Sequence, residues 1–257
     1  MTMDNSQDAL LKLGFKFGKN GAHAARSMMI EELKQLFASR PKTASQEDYQ
    51  QDIVTFNTLH KATENSRKLT YHHLKDLYGL SPDIPLFNVL RQWWELSETA
   101  QVVLALQLAV ARDPLLRGSV PVVLALQPGE HLARSDMEAY LCADDPERFS
   151  PASLKSFAQN INGTWTQAGY LTGRTKKYRS VSAITYVNVA FALFLAHCQG
   201  LSGQRMFHSE WCRLLALNTH ELYDMAHAAS LRGLLNFKHA SEVVEVTFPH
   251  LQVTGQR

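Results

Sequence analysis

Apolar residues recur at three- and four-residue spacing almost everywhere before the last thirty positions, so the pattern predicts helix after helix. Ala22–Ala38 reads as one amphipathic helix, with Ala25, Met28, Met29, Leu33, Leu36 and Phe37 turned inward and Arg40-Pro41 ending it. Gln46–Asn65 and Arg67–Leu77 read as the second and third helices, and Gly79 with Pro82 and Pro85 marks a boundary. Leu86–Trp94 and Ser97–Arg112 form a strongly apolar pair, the latter broken at Asp113-Pro114. Gln101–Ala111 reads as a buried core helix, and so does Val181–Cys198. The latter approaches membrane-spanning length but carries Ser182, Thr185, Asn188 and His197.

After Pro128-Gly129 the punctuation sharpens. Ser135-Asp-Met-Glu138 reads as a capping box opening a short helix through Cys142, and Ser150-Pro151 as an N-cap with proline in the first turn. The helix so opened runs towards Ala168 and is stopped by Gly169, and Tyr170–Tyr178 can then fold back as a short hairpin or wing. Phe207–Leu215 and Thr219–Arg232 repeat the grammar, stopped by Gly233. Leu234–His239 leads into Val243–Phe248, where Val244, Val246 and Phe248 alternate with Glu245 and Thr247 as in a half-buried strand. The expected fold is mainly α, with winged-helix-like modules in the C-terminal half. It divides into an N-terminal helical region (1–80), a central region holding a recognition helix and wing (81–180), and a C-terminal winged-helix-like region (181–257).

Composition removes whole classes. With 45% hydrophobic and 19% charged residues the chain suits a globular protein, not a disordered or collagenous one. Three scattered cysteines, Cys142, Cys198 and Cys212, suggest neither a disulfide framework nor a zinc knuckle, and the polar, acid-bearing first residues do not form a secretory signal. A cytoplasmic protein without a membrane anchor is expected. No phosphate-binding loop, dinucleotide fingerprint, nucleophile elbow or H-E-x-x-H occurs, so no enzyme, cofactor or metal site is expected. His72-His73 point to different faces of a helix, His220 and His227 lack a third ligand, and Asp144-Asp145 lacks a matching lysine motif.

Charge gives the most specific signal. From Phe149 to Ser209, sixty-one consecutive residues, there is no acid, although 24 acids in the chain would place about six there by proportion. The same stretch carries Lys155, Arg174, Lys176, Lys177, Arg179 and Arg205, a segregation expected for a polyanion partner. On the helix from Pro151, Leu154, Phe157, Ala158, Ile161, Trp165 and Ala168 form the core stripe. The opposite face gathers Lys155, Ser156, Gln159, Gly163, Thr166 and Gln167. Amides and hydroxyls suit base edges and phosphates, and Gly163 would admit a close ligand. The competing reading is a polar face packed against another part of the chain. Arg174, Lys176, Lys177 and Arg179, with Tyr178 among them, would run along a phosphate backbone as the wing. Arg67 and Lys68, in a basic stretch opposed only by Glu64, extend the candidate surface, as does the acid-free Ala9–Ile30.

Several of these stretches together resemble the BrxA family of the BREX bacteriophage-defence systems. They are Glu64-Asn-Ser-Arg-Lys-Leu-Thr70, Ser150-Pro-Ala-Ser-Leu leading to Trp165-Thr-Gln-Ala-Gly-Tyr-Leu171, the helix around Val187–Leu195, and Trp211 followed by Leu231-Arg-Gly-Leu-Leu235 and Val243-Val-Glu-Val246. The resemblance covers residues 55–250. It implies a mainly helical, non-enzymatic protein that binds DNA beside other BREX components, among them a methyltransferase, an ATPase and a phosphatase-like protein. Double-stranded DNA is therefore the expected partner. The alternatives are an RNA-binding protein, or a protein–protein scaffold using Trp93-Trp94 as exposed aromatics.

Overall fold

Side-chain caps and the tertiary use of backbone groups decide where the helices begin in the computed structural model, which describes residues 5–143, 145–240, 243–249 and 251. After α1 (Asn5–Leu13) the chain runs as a strap through a single 3-10 turn at Ala22–Ala24 before α2 (Ile30–Ser39) begins. The single helix expected over Ala22–Ala38 is thus only half formed. The Met28 N–H donates to the Thr164 hydroxyl at 2.9 Å and its carbonyl accepts from the Tyr78 hydroxyl at 2.6 Å, so distant side chains hold it out of a helix. Met29 completes the break at φ 52°, a left-handed backbone.

α3 (Gln46–Gln50) is capped by Ser45 and extends by one wide turn to Thr55, well short of the expected Asn65. Asn57 stops it. Its φ is 53°, and its side chain bonds both the N–H and the carbonyl of Lys61. α4 (Glu64–Tyr78) then starts on the Thr63 cap, three residues before the expected Arg67. α5 (Pro85–Trp93), α6 (Glu98–Arg112), α7 (Pro114–Gly118) and α8 (Val120–Leu124) follow. Asp113 ends α6 and caps α7, accepting from the N–H groups of Leu115 and Leu116. Trp93 and Trp94 are buried against Phe191 and Phe37, so the scaffold reading loses the exposed aromatics it was given.

The stretch from 131 to 179 has the order strand, helix, helix, strand, strand. β1 (His131–Leu132) precedes α9 (Arg134–Leu141) and α10 (Pro151–Gln167), and β2 (Leu171–Thr172) and β3 (Lys177–Arg179) close it. All three strands form one antiparallel sheet in the order β1-β3-β2, with Tyr178 opposite both His131 and Thr172. β1 went unread because two residues carry no periodicity. α9 starts one residue before Ser135. Asp136 accepts from the Ala133 N–H at 2.9 Å, so the reaching-back carboxylate is present without the serine cap. α10 has the expected cap, with Ser150 accepting from the Ser153 N–H, and Gly169 follows it at φ 77°.

α11 (Tyr186–Cys198) is apolar all round and accordingly buried. It lies along α6, where Gln107 donates to the Asn188 carbonyl at 2.9 Å and Asn188 to the Ala100 carbonyl at 3.0 Å. Among the described residues no helix is long and apolar enough to cross a membrane. α12 (Gln204–Phe207), α13 (Glu210–Leu214) and α14 (Thr219–Ser230) lead into the antiparallel pair β4 (Asn236–Ala240) and β5 (Val243–Thr247). Val246 and Phe248 face the core while Glu245 and Thr247 are exposed, as their alternation required. The chain is therefore mainly helical with short antiparallel strands. Its apolar core is continuous from Leu13 to Phe248 across the three regions of the sequence.

Candidate nucleic-acid interface

The two halves of α10 meet different surroundings. In the first half Pro151, Ala152, Lys155, Ser156 and Gln159 are exposed, while Leu154 and Phe157 turn inward and Phe157 meets Phe149 edge-on. From Asn160 onward the strap packs along the polar face, leaving Asn160 half-buried. Asn160 donates to the His23 carbonyl at 3.0 Å, and Gln167 donates to the Ser27 hydroxyl at 3.0 Å. Gly163 lies close under Ser27, whose Cβ would stand 3.6 Å from an added methyl group. Thr166 spends its hydroxyl on the Asn162 carbonyl one turn back. Gly163 and Thr166 are thus half-buried at the strap, while Gln167 stays exposed at its edge. Asn160, Thr164 and Gln167 bond the strap, as the competing reading of this face required, although the buried Asn162 Oδ1 finds no partner among the described residues.

Thr164, His23 and Asp113 form the centre of that contact. The Asp113 carboxylate lies 2.8 Å from His23 Nδ1 and also accepts the His23 N–H at 2.8 Å. His23 Nε2 lies 2.7 Å from the Thr164 hydroxyl. Burial works against ionisation of Asp113, but the bonds from His23 and the α7 N–H groups outweigh it and hold its carboxyl below the usual range. The ionised carboxylate can only accept, so Nδ1 carries the proton between them. Hydroxyl, imidazole and carboxylate in this order also make a nucleophilic triad. Here all three side chains are fully buried, and the hydroxyl already accepts the Met28 N–H, so the trio ties the strap to α10 and α7.

The hairpin after α10 divides its cations. Arg174 and Lys176 are exposed at its tip and make no ion pair among the described residues. Lys177 is half-buried, donates to the Gly173 carbonyl at 2.7 Å, and has its pKa lowered by burial. Arg179 is not a phosphate contact. Only 7% exposed, it lies over the Tyr170 ring and donates to the carbonyls of Tyr170 and Ser180, with burial lowering its pKa. The register explains this, since Arg179 stands opposite buried Leu171 on the inner side of the sheet. On the outer side Tyr178 is exposed with His131 against it, ring centroids 5.4 Å apart. Sequence reasoning missed this pair because β1 was unread.

The secondary basic stretches are neutralised only in part. Lys68 pairs with Glu64 at 2.6 Å, Lys61 with Glu32 at 2.8 Å, and Lys16 with Asp76. Arg67 is half-buried on α4. His72 is exposed and His73 buried, so the two diverge. No group of three metal-ligating side chains occurs among the described residues, and Asp144 of the acidic pair lies outside them. What remains exposed is one face of the first half of α10, with Lys155, Ser156 and Gln159, and the hairpin with Arg174, Lys176 and Tyr178, neither of them carrying an acidic side chain. Exposed Glu130 and Glu147 stand in the flanking loops.

Neither the protein-family models nor the curated proteins include a match to this chain.

Proposed function

We propose that residues 131–179 act as a winged-helix-like module that binds double-stranded DNA, and that the protein is a non-enzymatic accessory of a BREX-type phage-defence system. The observation that carries the binding reading is the exposed, acid-free face on the first half of α10, on a helix that leads into an exposed cationic hairpin. A helix that leaves one face of its first turns in solvent can enter a major groove, where Lys155, Ser156 and Gln159 would meet base edges and phosphates. Arg174 and Lys176 at the hairpin tip would then lie on the adjoining phosphates, adding affinity without sequence information. The setting in phage defence rests on the resemblance to the BrxA family.

The test is fluorescence anisotropy of a labelled random-sequence duplex of about 30 base pairs, titrated at several salt concentrations with an RNA duplex as competitor. Binding at micromolar or tighter Kd that weakens steeply with salt, and that RNA displaces poorly, is the expected result. No binding at low salt would remove the nucleic-acid reading, and efficient displacement by RNA would transfer it to RNA.

A further inference from the structure

The strap has a second side, turned to α4. There a cleft of about 610 Å3 opens, with Ala22, Ala24, Ala25, Leu69 and Ile84 as its apolar walls. Lys16, Lys75, Asp76 and Arg112 add charge to its lining, Lys16 bonding the Asp76 carboxylate and Arg112 the Asp76 carbonyl. A smaller cleft of about 290 Å3 also borders Lys16, Asp76 and Arg112.

Arg112 is the unusual member. Its side chain is 6% exposed, and its donors go to the carbonyls of Leu77 at 3.0 Å, Gly14 at 2.5 Å and Asp76 at 3.3 Å. These are main-chain dipoles at the C-terminal ends of α1 and α4, which ease a cation without neutralising it. Desolvation pulls its pKa down to about 10, and the carboxylate that acts on it, Asp76, is already bonded by Lys16. Buried charges are ordinarily paired with an opposite charge. Lys75 has no carboxylate partner among the described residues, its Nζ lying 5.8 Å from the Tyr71 ring. Three cations and one anion therefore border the cleft. Small residues keep it open, since Ala22, Ala24 and Ala25 present only methyl groups towards α4. A Cβ at Gly21 would fall 1.9 Å from Asp113, so the turn there accepts no larger residue.

We propose that this cleft binds a small phosphate-bearing ligand of mononucleotide size, its phosphate at Lys16, Lys75 and Arg112 and its flat apolar body between the alanines of the strap and Leu69 of α4. The volume is that of an ordinary small-ligand site, with apolar walls and few convergent polar groups. The proposal does not depend on the DNA reading, because none of the α10 or hairpin residues lines the cleft.

Isothermal titration calorimetry of the full chain tests it, with adenosine 5′-monophosphate as the probe and adenosine and inorganic phosphate as its two parts. Saturable binding with a Kd below about 1 mM is expected, at least about tenfold tighter than adenosine, with phosphate competing. Ala25→Trp, at an exposed position, should fill the cleft and abolish the signal. Lys75→Gln should weaken it about tenfold or more with the Tm unchanged. The double variant Arg174→Ala/Lys176→Ala should leave it intact. No heat up to about 5 mM probe would overturn the proposal. Equal binding of adenosine would do the same, as would a signal that survives both cleft variants but disappears in the hairpin variant.

Discussion

The two halves of α10 both carry amides and hydroxyls and no acid, yet the polar face of one is open to solvent and that of the other is tied to the strap. In the second half Thr164 is fully buried between His23 and Met28, and Gln167 reaches Ser27. In the first, Lys155 and Gln159 have no partner from the strap and are exposed. A polar helix face is therefore not evidence of a ligand until the chain that could cover it has been traced. The absence of acid extends over both halves. Over Asn160–Gln167 an acid would be an unpaired charge beside the strap, and over Pro151–Gln159 the proposed duplex contact would account for it.

Removing the tie breaks that difference most severely. Asp113→Ala leaves the His23 N–H and Nδ1 and the N–H groups of Leu115 and Leu116 without their acceptor. Buried networks that lose one charged partner typically cost about 3–5 kcal/mol, so urea unfolding should show a loss of that order. Thr164→Val keeps the shape and should cost about 2–3 kcal/mol, because His23 Nε2 and the Met28 N–H lose one shared partner. A loss under about 0.5 kcal/mol for both would mean that the strap is not held here.

Acid should loosen the same strap through His73. Its Nε2 donates to the Ser27 carbonyl at 2.8 Å, and burial lowers its pKa from 6.5 to about 4. The unfolded chain then binds the proton more readily than the folded one. Stability falls as pH drops from about 6.5 to about 4 and flattens below, by at most about 3 kcal/mol. His73→Gln should flatten this limb in Tm measurements between those limits. A limb of unchanged slope in the variant would assign it to other groups. Asp113 acts in a separate window: with its carboxyl held low, its contribution is full above the unfolded carboxylate pKa and is lost as pH falls through the folded one.

The hairpin sharpens the comparison from the side of binding. Arg174→Ala/Lys176→Ala should weaken duplex binding several-fold or more and reduce the salt slope by about two contacts' worth, with the Tm within about 1 °C of the parent. Arg179→Ala should do the reverse, lowering the Tm through lost packing on Tyr170 while leaving the slope alone. A slope unchanged by the double variant would take the hairpin out of the interface.

How much of this was legible follows from the range of each interaction. The Ser150 cap, Pro151, Gly169 and the alternation in Val243–Phe248 are local, and the structure has them where sequence pattern put them. The strap was misread as a helix because its apolar residues keep helical spacing, whereas its backbone bonds go to Thr164 and Tyr78, far along the chain. The partners of the buried tie lie 90 and 141 residues apart in sequence, beyond any local pattern. Arg179 had a usable cue: two-residue alternation puts it on the opposite face from Tyr178, the side that Leu171 buries. Charge counting alone grouped it with Arg174 and Lys176.

The smallest effects separate the halves most cleanly. Gln159→Ala removes an exposed amide with no bond among the described residues and should leave unfolding unchanged while weakening duplex binding about two- to tenfold. Gln167→Ala removes the bond to Ser27 at 3.0 Å and the weaker acceptance from the Ile30 N–H at 3.4 Å. It should cost about 0.5–1.5 kcal/mol of stability and leave binding as it was. The two substitutions delete the same side chain from the same helix, one in its interior and one at its last residue, and Gln→Ala is mild for helix propensity at either position. Opposite outcomes in the two assays would show that the strap's edge along α10 is the border of the interface. If both variants lost binding alike, that border would be wrong, and the strap would have to leave α10 when duplex binds.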